Sequence, residues 1–412
     1  MNVALTLDCR YFRTPDGSVW SHGLHAYPFL THHLAVFDGV KVVARVRDVS
    51  RAEPSWRLAS GPRVRFLPLP DYLGPWQYLA KSVSVRRAIR RAVDPQDAVI
   101  MRVGSHIAGI LEPLLVRRGQ PYGLQVVNDP FDEFAPKAVD YFLRPLFRRH
   151  LTRQLRRQCE HAVATAYVTG RALQSRYPCS GFSTTFSDVE ITPQALLGTH
   201  RPFSRDNHPQ REIRLITVAS LSQMYKAPDV LICAVAEAAR SGLNLSLRIA
   251  GDGRHRVFLG RLAQDLGLAD RVHFLGQLPA GERVREALDT SDLFVLPSRS
   301  EGMPRALIEA MARSLPCIAT NVGGVPELLA PEDLVKPGDA AELAHKLAEV
   351  LRDPARMEAM GARNLRKAAD FHEEIQAARR KAFLGEVRRM TDLYLQAAAG
   401  GPSTKQVDAL CN

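Results

Sequence analysis

Two doubly wound, Rossmann-like α/β domains facing across a cleft are the architecture this sequence predicts. Three observations lead there. At 412 residues the chain exceeds what one ordinary core supports and suggests two domains of about 200 residues each. Its second half alternates short apolar strands with amphipathic helices, the pattern of parallel βαβ units. A polar, proline-containing stretch, His200–Gln210 (HRPFSRDNHPQ), reads as the linker between the halves. The expected divisions are a first domain over 1–205, a second over 206–374, a helix over 375–400 packing back on the first domain, and a tail over 401–412.

In the first half, Val3–Leu7, Val40–Val46, Val64–Leu67, Ala98–Val103 and Tyr122–Val127 read as strands, with helices over Ser82–Ala92 and Pro136–Glu160. The second half alternates more cleanly. Strands are expected at Ile213–Ala219, Asn244–Ala250, Val272–Leu275, Leu293–Leu296, Pro316–Thr320 and Leu334–Val335. Helices are expected at Pro228–Ser241, Arg256–Gly267, Ala280–Thr290, Pro304–Ser314 and Ala340–Leu351, and finally over Ile375–Ala398. Open α/β sheets bind ligands beyond the carboxyl ends of their strands. That rule directs attention to the loops after Leu7, Val103, Val127, Ala219, Ala250 and Leu296.

Composition narrows the class. With 46% hydrophobic and 24% charged residues, the chain is of soluble globular type, and no stretch approaches the ~18 apolar residues of a membrane span. The first residues read as a β-strand rather than a signal peptide. The six cysteines are scattered, without CxxC pairs or His/Cys clusters; this supports neither a disulfide framework nor a metal site and fits a reducing cytoplasm. The net charge of +12 is uneven: residues 1–200 hold 26 Lys and Arg against 16 Asp and Glu, and the remainder 29 against 27. Two basic runs, Lys81–Arg91 and Arg144–Arg157, are either solvated helix faces or attractors of an anionic partner such as a membrane surface. They lack interleaved aromatics and a recognised binding module, so nucleic acid is not expected.

The chemistry is read from Glu301–Glu309 (EGMPRALIE). Glu301 follows the strand Leu293–Leu296. Pro304 suits a helix start, and Gly302 permits close backbone approach. The free N–H groups around Gly302 to Arg305, that of Met303 among them, can then hold an anion such as a diphosphate. Glu301 and Glu309 stand on either side to meet hydroxyls. The bland alternative is that Glu309 only pairs with Arg305 at i,i+4.

The segment Ser291–Leu329 (SDLFVLPSRSEGMPRALIEAMARSLPCIATNVGGVPELL), with its E-x7-E signature, resembles the core block of retaining glycosyltransferase family 4, the glycosyl transferases group 1, which have the GT-B fold. Met224–Val230 resembles the family's phosphate-binding segment, and Ala250–Gly253 and Val272–Gly276 also match. The resemblance implies that Glu301 contacts the transferred sugar, Glu309 the nucleotide ribose, and Lys226 the departing diphosphate. Ser220 stands where relatives usually carry a second phosphate-binding cation, an arginine. Gly17, in Asp16–Trp20, resembles the family's glycine loop, though Asp-Gly is also an ordinary turn. His106 and Asp129 are candidates on the acceptor side; His106 is otherwise structural and Asp129 otherwise a turn cap. Asn128 stands where many relatives carry a sugar-contacting histidine.

The implied activity is metal-independent transfer of a sugar, with retention, from a nucleotide-diphosphate sugar to a hydroxyl of a glycan or glycolipid. The enzyme would be cytoplasmic, peripheral on an anionic membrane, and without a cofactor beyond its donor. No DxD pair of the metal-dependent glycosyltransferases is present. The alternatives are a sugar-nucleotide epimerase on the same architecture and a non-catalytic nucleotide-sugar-binding protein.

Overall fold

The computed structural model of the chain describes residues 1–23, 25–134, 143–200 and 212–399. Two parallel sheets organise them. The first contains β1 (Asn2–Arg13), β2 (Val19–Ser21), β3 (Gly39–Asp48), β4 (Arg57–Leu58), β5 (Val64–Leu69), β6 (Ala98–Val103), β7 (Tyr122–Val126), β8 (Ala164–Tyr167) and β9 (Phe182–Thr185). Its parallel part runs β5-β3-β1-β6-β7-β8-β9. The second contains β10 (Ile213–Val218), β11 (Leu245–Ala250), β12 (Val272–Gly276), β13 (Leu293–Leu296), β14 (Cys317–Thr320) and β15 (Leu334–Val335), in the order β12-β11-β10-β13-β14-β15, all parallel. Central strands such as Leu293–Leu296 are buried along their whole length, because helices cover both faces of each sheet. In both sheets the strand order reverses beside the first strand, at β1/β6 and β10/β13, the place where open α/β sheets generally bind ligands.

The expected α/β alternation is present, and the boundaries of the second half differ by only a residue or two. The first half departs more. β1 continues past Leu7 to Arg13 through an irregularity between Thr6 and Arg10 and turns back as an antiparallel hairpin into β2. The helix expected from Ser82 begins at Gly74, because Trp76, Leu79 and Val83 point outward and spoil the amphipathic pattern. The helices His106–Arg118 and Pro354–Ala368 and the short strands β8 and β9 were not foreseen. The helix expected over Pro136–Glu160 is seen as Arg144–His161, its first residues lying outside those described.

The expected linker, except His200, and the tail after residue 400 also lie outside the described residues. Packing changes hands earlier than the linker. Val189 and Ile191 already belong to the core of the second domain, and the Leu197 amide donates to Ala312 O at 3.0 Å. The chain returns through Phe371–Glu373, where the Ile191 amide donates to Phe371 O (3.0 Å) and the Glu373 amide to Ile191 O (3.1 Å). The final helix, Glu373–Ala399, then lies on β6–β9 of the first sheet and buries Phe383, Leu384 and Val387 in its core.

Candidate active site

The carboxyl ends of the two sheets face each other. A Cβ on Gly302, just after β13, would stand 2.5 Å from the Val127 carbonyl oxygen after β7, so only glycine allows this approach of the domains. Gly323, after β14, has φ +52°, and a Cβ there would meet Glu301 O at 1.8 Å. The Gly324 amide donates to Gly302 O at 2.8 Å. The Asn321–Gly324 loop therefore clamps the backbone of Glu301–Gly302 from behind.

Within this clamp the Glu301 carboxylate binds Lys226. Nζ lies 2.7 Å from Oε1 and 2.9 Å from Oε2, and the Ser298 hydroxyl donates to Oε1 at 2.5 Å. Only 6% of the Glu301 side chain and 16% of Lys226 reach solvent, so the pair sits in a medium that strengthens charge interactions. Lys226 ends a short 3-10 turn and directly precedes the helix Pro228–Arg240 through Ala227, held at φ +50°. Arg299 fixes that turn: it donates to Met224 O at 2.6 Å and pairs with Asp229 at 2.8 Å, while its own amide donates to Tyr225 O. Sequence reasoning passed over Ser298, Arg299 and Asp229; each serves Lys226 or Glu301 through contacts that no local spacing reveals.

Pro304 is the N-cap of the helix Arg305–Ala312 rather than its first residue, a shift within the usual uncertainty of helix ends. Met303 is half-buried beside Gly324. Glu309 pairs with Arg305 at 3.4 Å. Burial raises the Glu309 carboxyl above its usual range, against the lowering pull of Arg305 and Arg285. A carboxyl raised by folding favours the fold at low pH, and that contribution is lost as pH rises through the shifted value. Glu309→Gln is therefore expected to raise the thermal midpoint at neutral pH, with less difference in acid. A midpoint that falls at neutral pH would contradict this.

On the facing domain, Asp129 lines a small cavity of about 130 Å3 together with Glu301, Gly302, Thr169 and Arg176. Its oxygens are committed, however. They accept from the Phe131 amide (2.8 Å) and the Tyr177 hydroxyl (2.5 Å), and they pair with Arg176. Of its two readings, Asp129 is thus the turn cap, and also an ion-pair partner, in this arrangement. Asn128 likewise bridges the Gly104 amide (3.2 Å) and Glu133 (2.9 Å). His106 opens the helix His106–Arg118, its amide donating to Asp8 at 3.0 Å and its ring set edge-on to Tyr78 at 4.2 Å. Burial holds its imidazole below the usual range. It stands apart from the Lys226–Glu301 pair. Gly17 also falls outside the cluster: it is the tip of the β1–β2 hairpin, and its amide donates to Thr14 O. The first strand runs on into this hairpin, so the expected glycine loop does not form there. Ser220 is exposed after β10, its hydroxyl accepting from the Ser222 amide at 3.3 Å.

One unforeseen carboxylate joins the domains. Glu327 accepts from the amides of Gly170, Arg171 (3.0 Å) and Ala172 (2.8 Å), satisfying donors at a helix start that would otherwise need water. Among the described residues no group of three or more potential metal ligands comes together.

Residues 201–367 match the family model described as glycosyl transferases group 1. The second domain belongs to that family. Along most of its length the chain is similar to protein CapJ of Staphylococcus aureus, at 25% identity over 88% of this chain and 90% of that one. It is 32% identical to the D-inositol 3-phosphate glycosyltransferase of Nocardia farcinica, over 55% of this chain and 52% of the relative, so it spans about half of that protein. Among solved structures, sucrose-phosphate synthase from Thermosynechococcus elongatus superposes with a TM-score of 0.61 over 97% of this chain and all of the other, at 20% identity. Such neighbours are GT-B glycosyltransferases, and this group 1 domain together with its partner domain has the GT-B fold.

Proposed function

We propose that this chain transfers a sugar from a nucleotide-diphosphate sugar to an acceptor hydroxyl, with retention of configuration and without a metal. The Lys226–Glu301 pair at the start of the helix Arg305–Ala312 carries the reading. Both groups stand at the carboxyl edge of the second sheet, where doubly wound folds bind nucleotides. When the donor enters, its diphosphate draws Lys226 onto the leaving-group oxygens. Glu301, released from its ion pair, accepts from hydroxyls of the sugar. The amides that open the helix add their dipoles to the same phosphate. A cation placed before the reaction favours the charge that builds as the glycosidic bond breaks. Glu309, a turn further along, is positioned for the ribose hydroxyls. The acceptor enters on the side of the first domain, and the leaving phosphate takes the proton of its hydroxyl on the face the donor leaves.

A glycan or lipid-linked glycan as acceptor accords with the basic first domain, and one relative, the D-inositol 3-phosphate glycosyltransferase of Nocardia farcinica, is named for an inositol-bearing compound. The first test is thermal unfolding against a panel of nucleoside diphosphates and nucleotide sugars. One of them, at about a hundredfold above its dissociation constant, is expected to stabilise the fold by about 2.7 kcal/mol. If none shifts the midpoint at millimolar concentration, the donor assignment fails. Release of nucleoside diphosphate that requires an acceptor then separates transfer from epimerisation.

A further inference from the structure

The helix Gly74–Ala92 presents a face that the fold leaves uncovered. Its inner side, Val85 and Ile89 with Tyr78, packs into the first-domain core. Its outer side carries Trp76, 81% exposed, Leu79, 59%, and Val83, 69%. Their spacing of three and four residues puts them on one stripe. Arg86, Arg87 and Arg90 continue that stripe over the last turns, flanked by Arg91; Lys81 lies toward the other side of the helix, its ammonium donating to Asp71 O at 2.6 Å. The helix contains no Asp or Glu, and among the described residues none of these five cations has a carboxylate within ion-pair distance.

The neighbouring helix Arg144–His161 repeats the theme. It has six arginines against one glutamate, with Leu146 and Phe147 exposed near its start. Both helices contribute to the same core on one face of the first sheet, on either side of His106–Arg118, with which each packs. As crossovers between parallel strands they begin at the carboxyl edge of that sheet. Their exposed apolar residues therefore lie at the rim of the cleft, Trp76 within a turn of Tyr78, which touches His106.

We propose that this face docks the protein on an anionic phospholipid bilayer, with Trp76, Leu79 and Val83 at the headgroup boundary and the arginines on the lipid phosphates. An indole among exposed aliphatics suits the membrane interface, and unpaired arginines suit a negatively charged leaflet. Among the described residues no helix is long and apolar enough to cross a membrane, so the contact is peripheral. Docking in this orientation turns the acceptor side of the cleft toward the lipid surface. It is independent of the donor chemistry proposed above.

The test is cosedimentation of the full chain with vesicles of phosphatidylcholine alone or mixed with phosphatidylglycerol. Binding is expected only to the mixed vesicles, and it should weaken as ionic strength rises from about 0.05 to about 0.5 M. Trp76→Ser with Leu79→Ser and Val83→Ser, and separately Arg86→Gln with Arg87→Gln, Arg90→Gln and Arg91→Gln, should each lower the partition constant roughly tenfold or more. Thermal midpoints and nucleoside diphosphate stabilisation should stay as in the wild type, which separates a failure of docking from a failure of the donor site. Absence of binding to anionic vesicles at low ionic strength overturns the proposal. So does binding that both sets of substitutions leave intact. A dimer in solution that the same substitutions disperse, without vesicle binding, would make the face a protein interface instead.

Discussion

Lys226→Ala is expected to lower turnover by roughly 10²–10³-fold, the usual loss when one preorganised charge at a developing anion is removed. The resemblance implies that Ser220 stands where a second cation is expected, and Arg299, close by on the loop after β13, is committed to Asp229 and Met224 O. The substitution also leaves Glu301 with the Ser298 hydroxyl alone in a nearly enclosed place, so some stability is lost with it. The double variant Lys226→Ala with Glu301→Gln removes that penalty. It should recover the wild-type thermal midpoint and remain as slow as the single variant, or slower. Nucleoside diphosphate release in steady state reads both. A folded Lys226→Ala enzyme within tenfold of wild type would remove Lys226 from the mechanism.

Gly323→Ala is expected to lower turnover by roughly 10²-fold, since displacing a reacting group by about 1 Å is enough for a loss of that size. The methyl group cannot be placed, because its position is 1.8 Å from Glu301 O and the backbone there is left-handed. Either the Asn321–Gly324 loop or the Glu301–Gly302 backbone must retreat. The second movement carries Glu301 away from Lys226 and Gly302 away from Val127. Steady-state release of nucleoside diphosphate in the presence of acceptor measures the effect. Unchanged turnover would mean that the loop yields without disturbing Glu301.

The contrast between the halves shows what such a sequence discloses. Apart from the helix Pro354–Ala368, the strands and helices of the second domain could be drawn to within a residue or two, because buried parallel strands are short continuous apolar runs and most helices carry their own turn signals. Glu301 and Gly302 drew attention for the same reason, since they sit where a strand ends and a helix begins, whereas Lys226 was singled out by the family resemblance of Met224–Val230. What escaped depends on distant partners. Glu327 meets Gly170–Ala172 in the other domain, and Arg299 finishes the Lys226 turn, and neither leaves a mark in local spacing. Gly17 was misplaced because β1 does not stop at Leu7; Arg10–Arg13 keep pairing with β3 and then with β2, an extension that polar residues disguise. Asp129 showed the reverse difficulty. Sequence left it open between an acceptor-side role and a turn cap, and only the three-dimensional arrangement brings Tyr177 and Arg176 to its oxygens.

The final helix has a consequence in time as well as in space. Phe383, Leu384 and Val387 complete a core whose other members lie almost entirely before residue 190. On the ribosome those strands emerge first and their covering helix last. At about 5–20 residues per second, the roughly 190 residues between them take on the order of 10–40 s to synthesise. Throughout that interval one face of the first sheet lacks its natural cover, while the second domain can already close its own core. The first domain to be made is thus the last to be finished, and the nascent chain carries an apolar sheet face that a chaperone is suited to shield.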